Sequence, residues 1–427
     1  MPVLTTSVFV LTAILLLAGV PVAVGFGLSS LAVLAISRPV PAVIVPQMVW
    51  TGVENFVLVA VPFFILAGNL MSTGGVARRL INLSNAVLGW TRGGLGAVNI
   101  LVSLLFGGMS GSSIADAATF GTLLVPEMIA DGYSADYSAA VTVTSSTLAV
   151  VVPPSILMVV LGVVAEQSVA RLLVGGLIPG VVITIGLLIA NYVLSTKYEY
   201  GSYVEFSWQG LKDGVRQGVG ALGAPIVILG GIMSGIVTPT EAAAVAVFYT
   251  MFASWMYGEF SWSRFFDALV DTGKVTGSIM LIVASSTLFT WIVSWENVPA
   301  LLVRLLLSLT TNPAVILLII NFILFLAGMF IDASAAIIIL SPLLYPVITQ
   351  IGVDPIHFGV VMVMALAIGL VTPPFGVCLF TICTVTKIPV ERVVKASLPF
   401  LASLILTWFL ATYIPGIVLF LPRLVFG

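Results

Sequence analysis

Apolar runs long enough to cross a membrane constrain this chain more than any other feature. Leu172 to Leu194 is one, and Val315 to Phe330, interrupted only by Asn321, is nearly another; a hydrocarbon core takes about 20 helical residues to cross. Hydrophobic residues make up 60% of the chain and charged residues 7%, against about 25% charged in an ordinary soluble domain, so lipid is the solvent for most of the surface. Lipid offers no partner for a free N–H or C=O, which restricts spanning segments to helices or a closed barrel. The short alternating segments of a barrel are missing. The expected class is an all-α polytopic membrane protein.

A formal net charge of -2 and the lack of any Lys/Arg run exclude a nucleic-acid partner. Cys378 and Cys383 have a CxxxxC spacing that suits neither zinc nor a redox pair and read as small buried hydrophobes. The stretch Val8 to Val24, with no Lys or Arg before it, reads as a first membrane segment and not a removable signal. One histidine, His357, and no HExxH, GxSxG or clustered carboxylates argue against an enzyme.

The chain repeats itself. Pro153-Pro154 recurs as Pro373-Pro374, and 373 - 153 = 220. The same offset carries Gly108-Met109 to Gly328-Met329, Pro126 to Pro346, Gly132 to Gly352, Val151 to Val371 and Pro179 to Pro399. Most of these are the residues that dictate backbone geometry, and matched periodicity of this kind marks duplicated units. Repeat one is expected over residues 1–200, a polar interfacial linker over 201–217 and repeat two over 218–427. With an odd number of crossings each, the repeats would be inverted about the membrane plane. The polar stretches Lys197 to Gln217 and Gly258 to Lys274, the latter with Trp262, Phe265 and Phe266 set against Arg264, Asp267 and Asp271, both read as segments lying along the membrane surface. Basic residues flank loops of both halves, so the positive-inside rule orients the chain only weakly.

Each repeat carries a two-part device. The first part is a hairpin. In GGMSGSSIADAATF (Gly107 to Phe120) three glycines weaken the helix and Ser110, Ser112 and Ser113 can bond local backbone instead; the expected hairpin lies near 107–126. Its counterpart near 328–346 starts GMFIDASAAIIILS, with Asp332, Ala333 and Ser334 at its tip. Irregular backbone at membrane depth must be buried in protein or line a wet cavity, so both should be re-entrant and point inward. The second part is a transmembrane helix broken by Pro-Pro, near 141–162 and near 358–384. Two prolines remove two donors and push the preceding residue out of the helical region. Carbonyls of Ala149 to Val152 and of Gly369 to Thr372 are then open to a desolvated cation, and the half-helices starting at the prolines can face an anion. Hard oxygens suit Na⁺. The bland alternatives are a simple kink at each Pro-Pro pair and, for Thr144, Ser145, Ser146 and Thr147, helix packing through small residues.

Intramembrane acids are functional suspects. Asp332 reads as a coupling-ion or hairpin-tip residue, or as a cap, and Asp116 as a cap or brace. Thr238, Pro239 and Glu241 read as N-cap, N1 and N3 of a helix start.

The strings GGMSGSSIADAATFGTLLVPEM (Gly107 to Met128) and GIVTPTEAAA (Gly235 to Ala244), with the Pro-Pro breaks in VVPPS and VTPPF, closely resemble the large membrane subunit of tripartite ATP-independent periplasmic (TRAP) transporters, the DctM-like family, over essentially the whole chain. The resemblance implies an elevator-type fold like that of the ion-transporter superfamily, working in the bacterial inner membrane as a Na⁺-coupled importer of a carboxylate solute. It implies two partners, a four-helix small membrane subunit (Q-type) as a separate chain and a periplasmic binding protein (P-type). Carried over, the Na⁺ sites fall at Ser110, Ser112, Ser113, Thr147, Val151 and Pro153, and at Asp332, Ala333, Gly369, Thr372 and Pro373. The solute candidates are Ser113, Thr144, Ser145, Ser146, Pro154, Ser155 and Pro374. The alternative is a stand-alone ion-coupled anion carrier or exchanger that needs no binding protein.

Overall fold

Glycines, prolines and capping side chains decide where these apolar helices stop. The computed structural model describes residues 3–37, 41–73, 75–201 and 206–427, and among them every regular element is a helix. Among the described residues five helices are long and apolar enough to cross a membrane, or up to eight if each sharply bent pair counts as one span.

Helix ends recur at the offset seen in the sequence. Helices Gly94–Ser110 and Ser113–Ala130 form one hairpin; Pro313–Phe330 and Ala333–Gln350 form another, with 330 - 110, 333 - 113 and 350 - 130 all equal to 220. At the first tip Gly111 sits at φ 61, the left-handed region that costs glycine little, and Ser112 caps the returning helix by accepting from the Ala115 N–H at 3.3 Å. At the second tip Asp332, 220 residues beyond Ser112, caps by accepting from the Ser334 N–H at 2.8 Å. The arms run longer than the poor-helix strings suggest, because the apolar residues flanking each tip stay helical.

The breaks follow. Ala135–Ser145 is succeeded by the four-residue turn Leu148–Val151 and, after Pro153-Pro154, by Ile156–Val164, bent by 42° from what precedes it. Pro355–Leu370 is succeeded, after Pro373-Pro374, by Val377–Thr386. Both Pro-Pro peptide bonds are cis. Val152 before the first pair is extended at ψ 131, as a residue preceding proline should be.

The broken helices begin earlier than expected, at Ala135 and Pro355, each on a cap: Ser134 accepts from Tyr137 N and Asp354 from Ile356 N and His357 N. The half-helices also start beyond the prolines, at Ile156 and Val377, not at them. The prolines lie in the turn, and Ser155 supplies the first cap by accepting from Met158 N.

Two expectations need correction. The stretch Val8 to Val24 is not one segment: Val3–Leu17 and Val22–Ser37 are separate helices that pack together across Gly19 and Pro21. Gly258 to Lys274 is not a separate surface helix, because Trp262–Trp295 runs without a break for 34 residues, about 50 Å, and the apolar residues after Lys274 carry the helix on. Within the linker, residues 202–205, Glu205 among them, lie outside the described residues, and 208–216 opens the long helix Trp208–Met233. The helix start at Thr238 is as read: its hydroxyl accepts from the Glu241 N–H and Glu241 accepts from the Thr238 N–H, with Pro239 at N1.

The halves interleave. Ser113–Ala130 packs on Val377–Thr386, Ala135–Ser145 on Val390–Tyr413, and Ile156–Val164 on Ala333–Gln350, so one apolar core holds Val141 and Leu157 together with Leu324, Ile337 and Met362. Each hairpin's outgoing arm meets its own broken helix at near-backbone contact. A Cβ on Gly107 would lie 2.6 Å from the Ala149 Cα, and one on Gly369 would lie 2.5 Å from the Gly328 carbonyl carbon. Overpacking a tight contact costs about 1–3 kcal/mol, and here the obstacle is backbone. Gly369→Ala is therefore expected to lower the thermal midpoint of the detergent-purified chain, whereas Gly273→Ala, which meets nothing within 4 Å in mid-helix, should leave it unchanged or raise it. Midpoints read by size-exclusion fluorescence after heating check both.

Candidate functional site

Two hairpin tips and two breaks converge on one cavity of about 290 Å³. Gly111, Ser112, Ser113 and Ile114 come from the first tip, and Asp332, Ala333 and Ser334 from the second. Val150 and Leu370, which are 220 residues apart, come from the two breaks, and Ile156 and Leu157 from the first half-helix. The remaining wall is Val275, Ser278, Ile279 and Ile282 of the long helix Trp262–Trp295. Of the residues named from sequence, the cavity thus gathers Ser112, Ser113, Asp332, Ala333 and Ser334.

The residues expected to form the first ion set lie on the first tip and the first break. The tip lies on the break so closely that a Cβ on Gly108 would be 2.9 Å from the Pro153 carbonyl oxygen and one on Gly111 would be 3.1 Å from that of Pro154. Ser110, Ser113, Thr147 and Val151 are all buried there. The Ser110 hydroxyl donates to Asp116 Oδ1 at 2.6 Å, so Asp116 braces the tip from within. Asp116 is fully buried, and its Oδ2, like the Ser113 hydroxyl, has no partner among the described residues. Two such orphaned oxygens beside one turn are unusual, since most buried polar atoms are paired.

The second set is more open. Gly369 is buried against Gly328, but Thr372 and Pro373 are half-buried and Pro374 is exposed. Thr372 donates back to the Ile368 carbonyl at 2.7 Å. Asp332 faces the cavity and caps its helix at the same time.

Several nominated groups are already engaged. The Gly369 carbonyl accepts from the Thr372 N–H at 3.0 Å, and the Val150 carbonyl accepts from the Ser155 hydroxyl at 2.5 Å. Ser155 thereby ties the two sides of the first break together. Thr144, Ser145, Ser146 and Thr147 are buried and each donates to a carbonyl three or four residues back. Pro154 is buried as well. None of these five hydroxyl residues, nor Pro154 or Pro374, lines the cavity.

Sequence reasoning passed over two groups. Val275, Ser278, Ile279 and Ile282 follow the i, i+3, i+4, i+7 spacing of one helix face, and that spacing was the available signal. Asn99 is the other: its amide donates to Thr142 Oγ1 at 2.7 Å and its Oδ1 lies 3.2 Å from the Ser145 hydroxyl, which it shares with the Thr142 carbonyl, fastening the first hairpin to the first broken helix. A lone amide within the apolar stretch Gly94 to Phe106 was the clue.

Over residues 9–417 the chain matches the family model described as tripartite ATP-independent periplasmic transporter, DctM component. It is 38% identical over 410 residues to the isethionate TRAP transporter permease protein DctMQ of Oleidesulfovibrio alaskensis, which aligns 96% of this chain but spans only 65% of that relative. It is 37% identical over 414 residues to the sialic acid TRAP transporter large permease protein SiaM of Vibrio cholerae, covering 97% of each. The DctM C4-dicarboxylate large permease of Pseudomonas aeruginosa is 38% identical over 371 residues, with 87% of each covered. In fold, the YdaH transporter of Alcanivorax borkumensis superposes with a TM-score of 0.60 over 86% of this chain and 87% of its own, at 14% identity. Apolar helices in this number, in a chain whose relatives are permeases, make it a multi-pass membrane protein.

The tip geometry separates a cap from a charge. Asn caps a helix about as well as Asp, whereas Ala costs about 0.5–2 kcal/mol. Asp332→Ala should lower the thermal midpoint and Asp332→Asn should restore it; equal loss in both would mean that the carboxylate charge, not the cap, holds the tip.

Proposed function

Because the chain belongs to the DctM family of tripartite ATP-independent periplasmic transporters, we propose that it is the transport subunit of a Na⁺-coupled secondary importer in the bacterial inner membrane. Its cargo is a small carboxylate-type solute, of the C4-dicarboxylate or sialic-acid kind or a related organic acid. A periplasmic binding protein delivers the solute, and a four-helix small subunit, carried as a separate chain, completes the membrane part.

One observation carries the reading: a single cavity walled on one side by both tips and both breaks, and on the other by a continuous helix. Two inverted repeats would bring their irregular backbone together in this way near mid-bilayer. Capped helix starts at Ser112 and Asp332 aim backbone N–H groups toward the turn, which favours an anion, while the turn carbonyls and the orphaned oxygens of Ser113 and Asp116 offer hard ligands to Na⁺. The pocket is sized for a small solute, at the lower end of the usual range of about 300–1,000 Å³.

Alternating access follows from where the cavity lies. Hairpins and broken helices pack on one another and would move as one body, whereas the long helix Trp262–Trp295 belongs to the stationary scaffold. Sliding the first past the second would carry cavity, ions and solute across the membrane. Na⁺ couples to the solute if it holds the tips closed only when both are bound, so that its differential affinity for the two states sets the shift.

In proteoliposomes with the small subunit and binding protein, Asp332→Ala and Thr372→Ala are each expected to raise the Na⁺ concentration for half-maximal uptake several-fold while leaving the chain monodisperse. Unchanged Na⁺ activation in both would remove the second ion site. Solute uptake by this chain reconstituted alone would instead overturn the tripartite arrangement.

A further inference from the structure

Away from the cavity, helix Trp208–Met233 bends by 54° between Arg216 and Gly218. Beside the bend a groove of about 420 Å³ opens between this helix and Pro239–Met256, lined by Arg79, Arg216, Tyr249, Phe252, Met256 and Tyr257 among others. Arg79 is held in place: its Nη1 donates to the Gly75 carbonyl at 3.1 Å and to Glu259 Oε1 at 2.8 Å, and the Tyr257 ring lies 3.7 Å from the guanidinium carbon. Among the described residues Nε and Nη2 have no hydrogen-bond partner. Arg216 is exposed and makes no hydrogen bond or ion pair among the described residues. Glu259 offsets one guanidinium, so the groove keeps the positive charge of the other. Tyr249 fixes the wall by donating to the Gly220 carbonyl at 2.8 Å.

Below the two arginines the lining turns apolar. Phe252 is 55% exposed and Met256 64%, and the face continues through Phe248 and Trp255, spaced as one stripe along the helix. A pair of guanidinium groups above an apolar stripe matches a ligand with a phosphate at one end and hydrocarbon at the other. Free phosphate would use the charge and leave the stripe idle. We propose that this groove binds an anionic phospholipid, with Arg216 and Arg79 on its phosphate and an acyl chain along Phe252 and Met256. Arginine is suited to this, since it binds phosphate through a planar fork, and basic pockets between membrane helices take lipid headgroups.

The test is native mass spectrometry of the full chain in detergent, with phosphatidylglycerol, with phosphatidylcholine of the same acyl chains, or with inorganic phosphate. Phosphatidylglycerol should be retained in preference to phosphatidylcholine. Arg216→Gln should cut that retention about five-fold, the effect of one basic residue at an anionic surface. Lys212→Gln, one turn earlier and outside the groove, should not change it. Equal retention by Arg216→Gln and the unaltered chain overturns the proposal, and so does equal retention of the two lipids. Displacement of phosphatidylglycerol by millimolar inorganic phosphate would mean that the groove recognises free phosphate and not lipid. Should Arg216→Gln fail to fold, the ratio of the two lipids on the unaltered chain decides the matter.

Discussion

Every interrupted helix in an apolar medium has to satisfy the backbone groups it sets free, and this requirement organises the molecule. Around the breaks the chain answers it with side chains from its own neighbourhood: Ser112, Ser134, Ser155, Asp332 and Asp354 cap the helices that resume. Ser155 also closes the first break by donating to the Val150 carbonyl. Among the buried side-chain oxygens left without a partner in the described residues, those of Ser113 and Asp116 belong to the first tip. Leaving a buried polar group unpaired costs about 1–3 kcal/mol, a cost that a ligand bound at the tip would offset.

Close approach is the second constraint. Hairpin and broken helix can share backbone contacts only because Gly107, Gly108, Gly328 and Gly369 lack side chains. The polar brace from Asn99 to Thr142 and Ser145 occurs in the first half alone; 220 residues later stand Ile319, Met362 and Ala365. The second half uses Asn321 on Thr412 instead. Duplicated geometry is thus held by different chemistry in each copy.

Local signals were legible and tertiary ones were not. Glycines, prolines and caps act over a few residues, so Gly111, the Pro-Pro breaks, the Thr238 helix start and the tips at Ser112 and Asp332 could be read directly. The apolar class was legible for the same reason. Helix length was not: an all-apolar stretch has no face to betray where it ends, which is why Val8 to Val24 hid a turn at Gly19 and why Trp262 to Trp295 hid its continuity. At the site, residue type suggested that the hydroxyls of Thr144 to Thr147 face a ligand; their protons go to carbonyls three or four residues back, and none of the four lines the cavity. The wall at Val275 to Ile282 belongs to a helix that carries no polar break, so its spacing marks a helix face but not what that face meets.

The interleaving of the halves has a consequence for how the protein is made. The face of Ser113–Ala130 that meets Val377–Thr386, and the contact that sets Arg392 Nε 3.0 Å from Asp136 Oδ2, do not exist until the ribosome has added the later half. Until then the early half waits in the bilayer with its seams unmatched, and lipid or the insertion machinery must cover them.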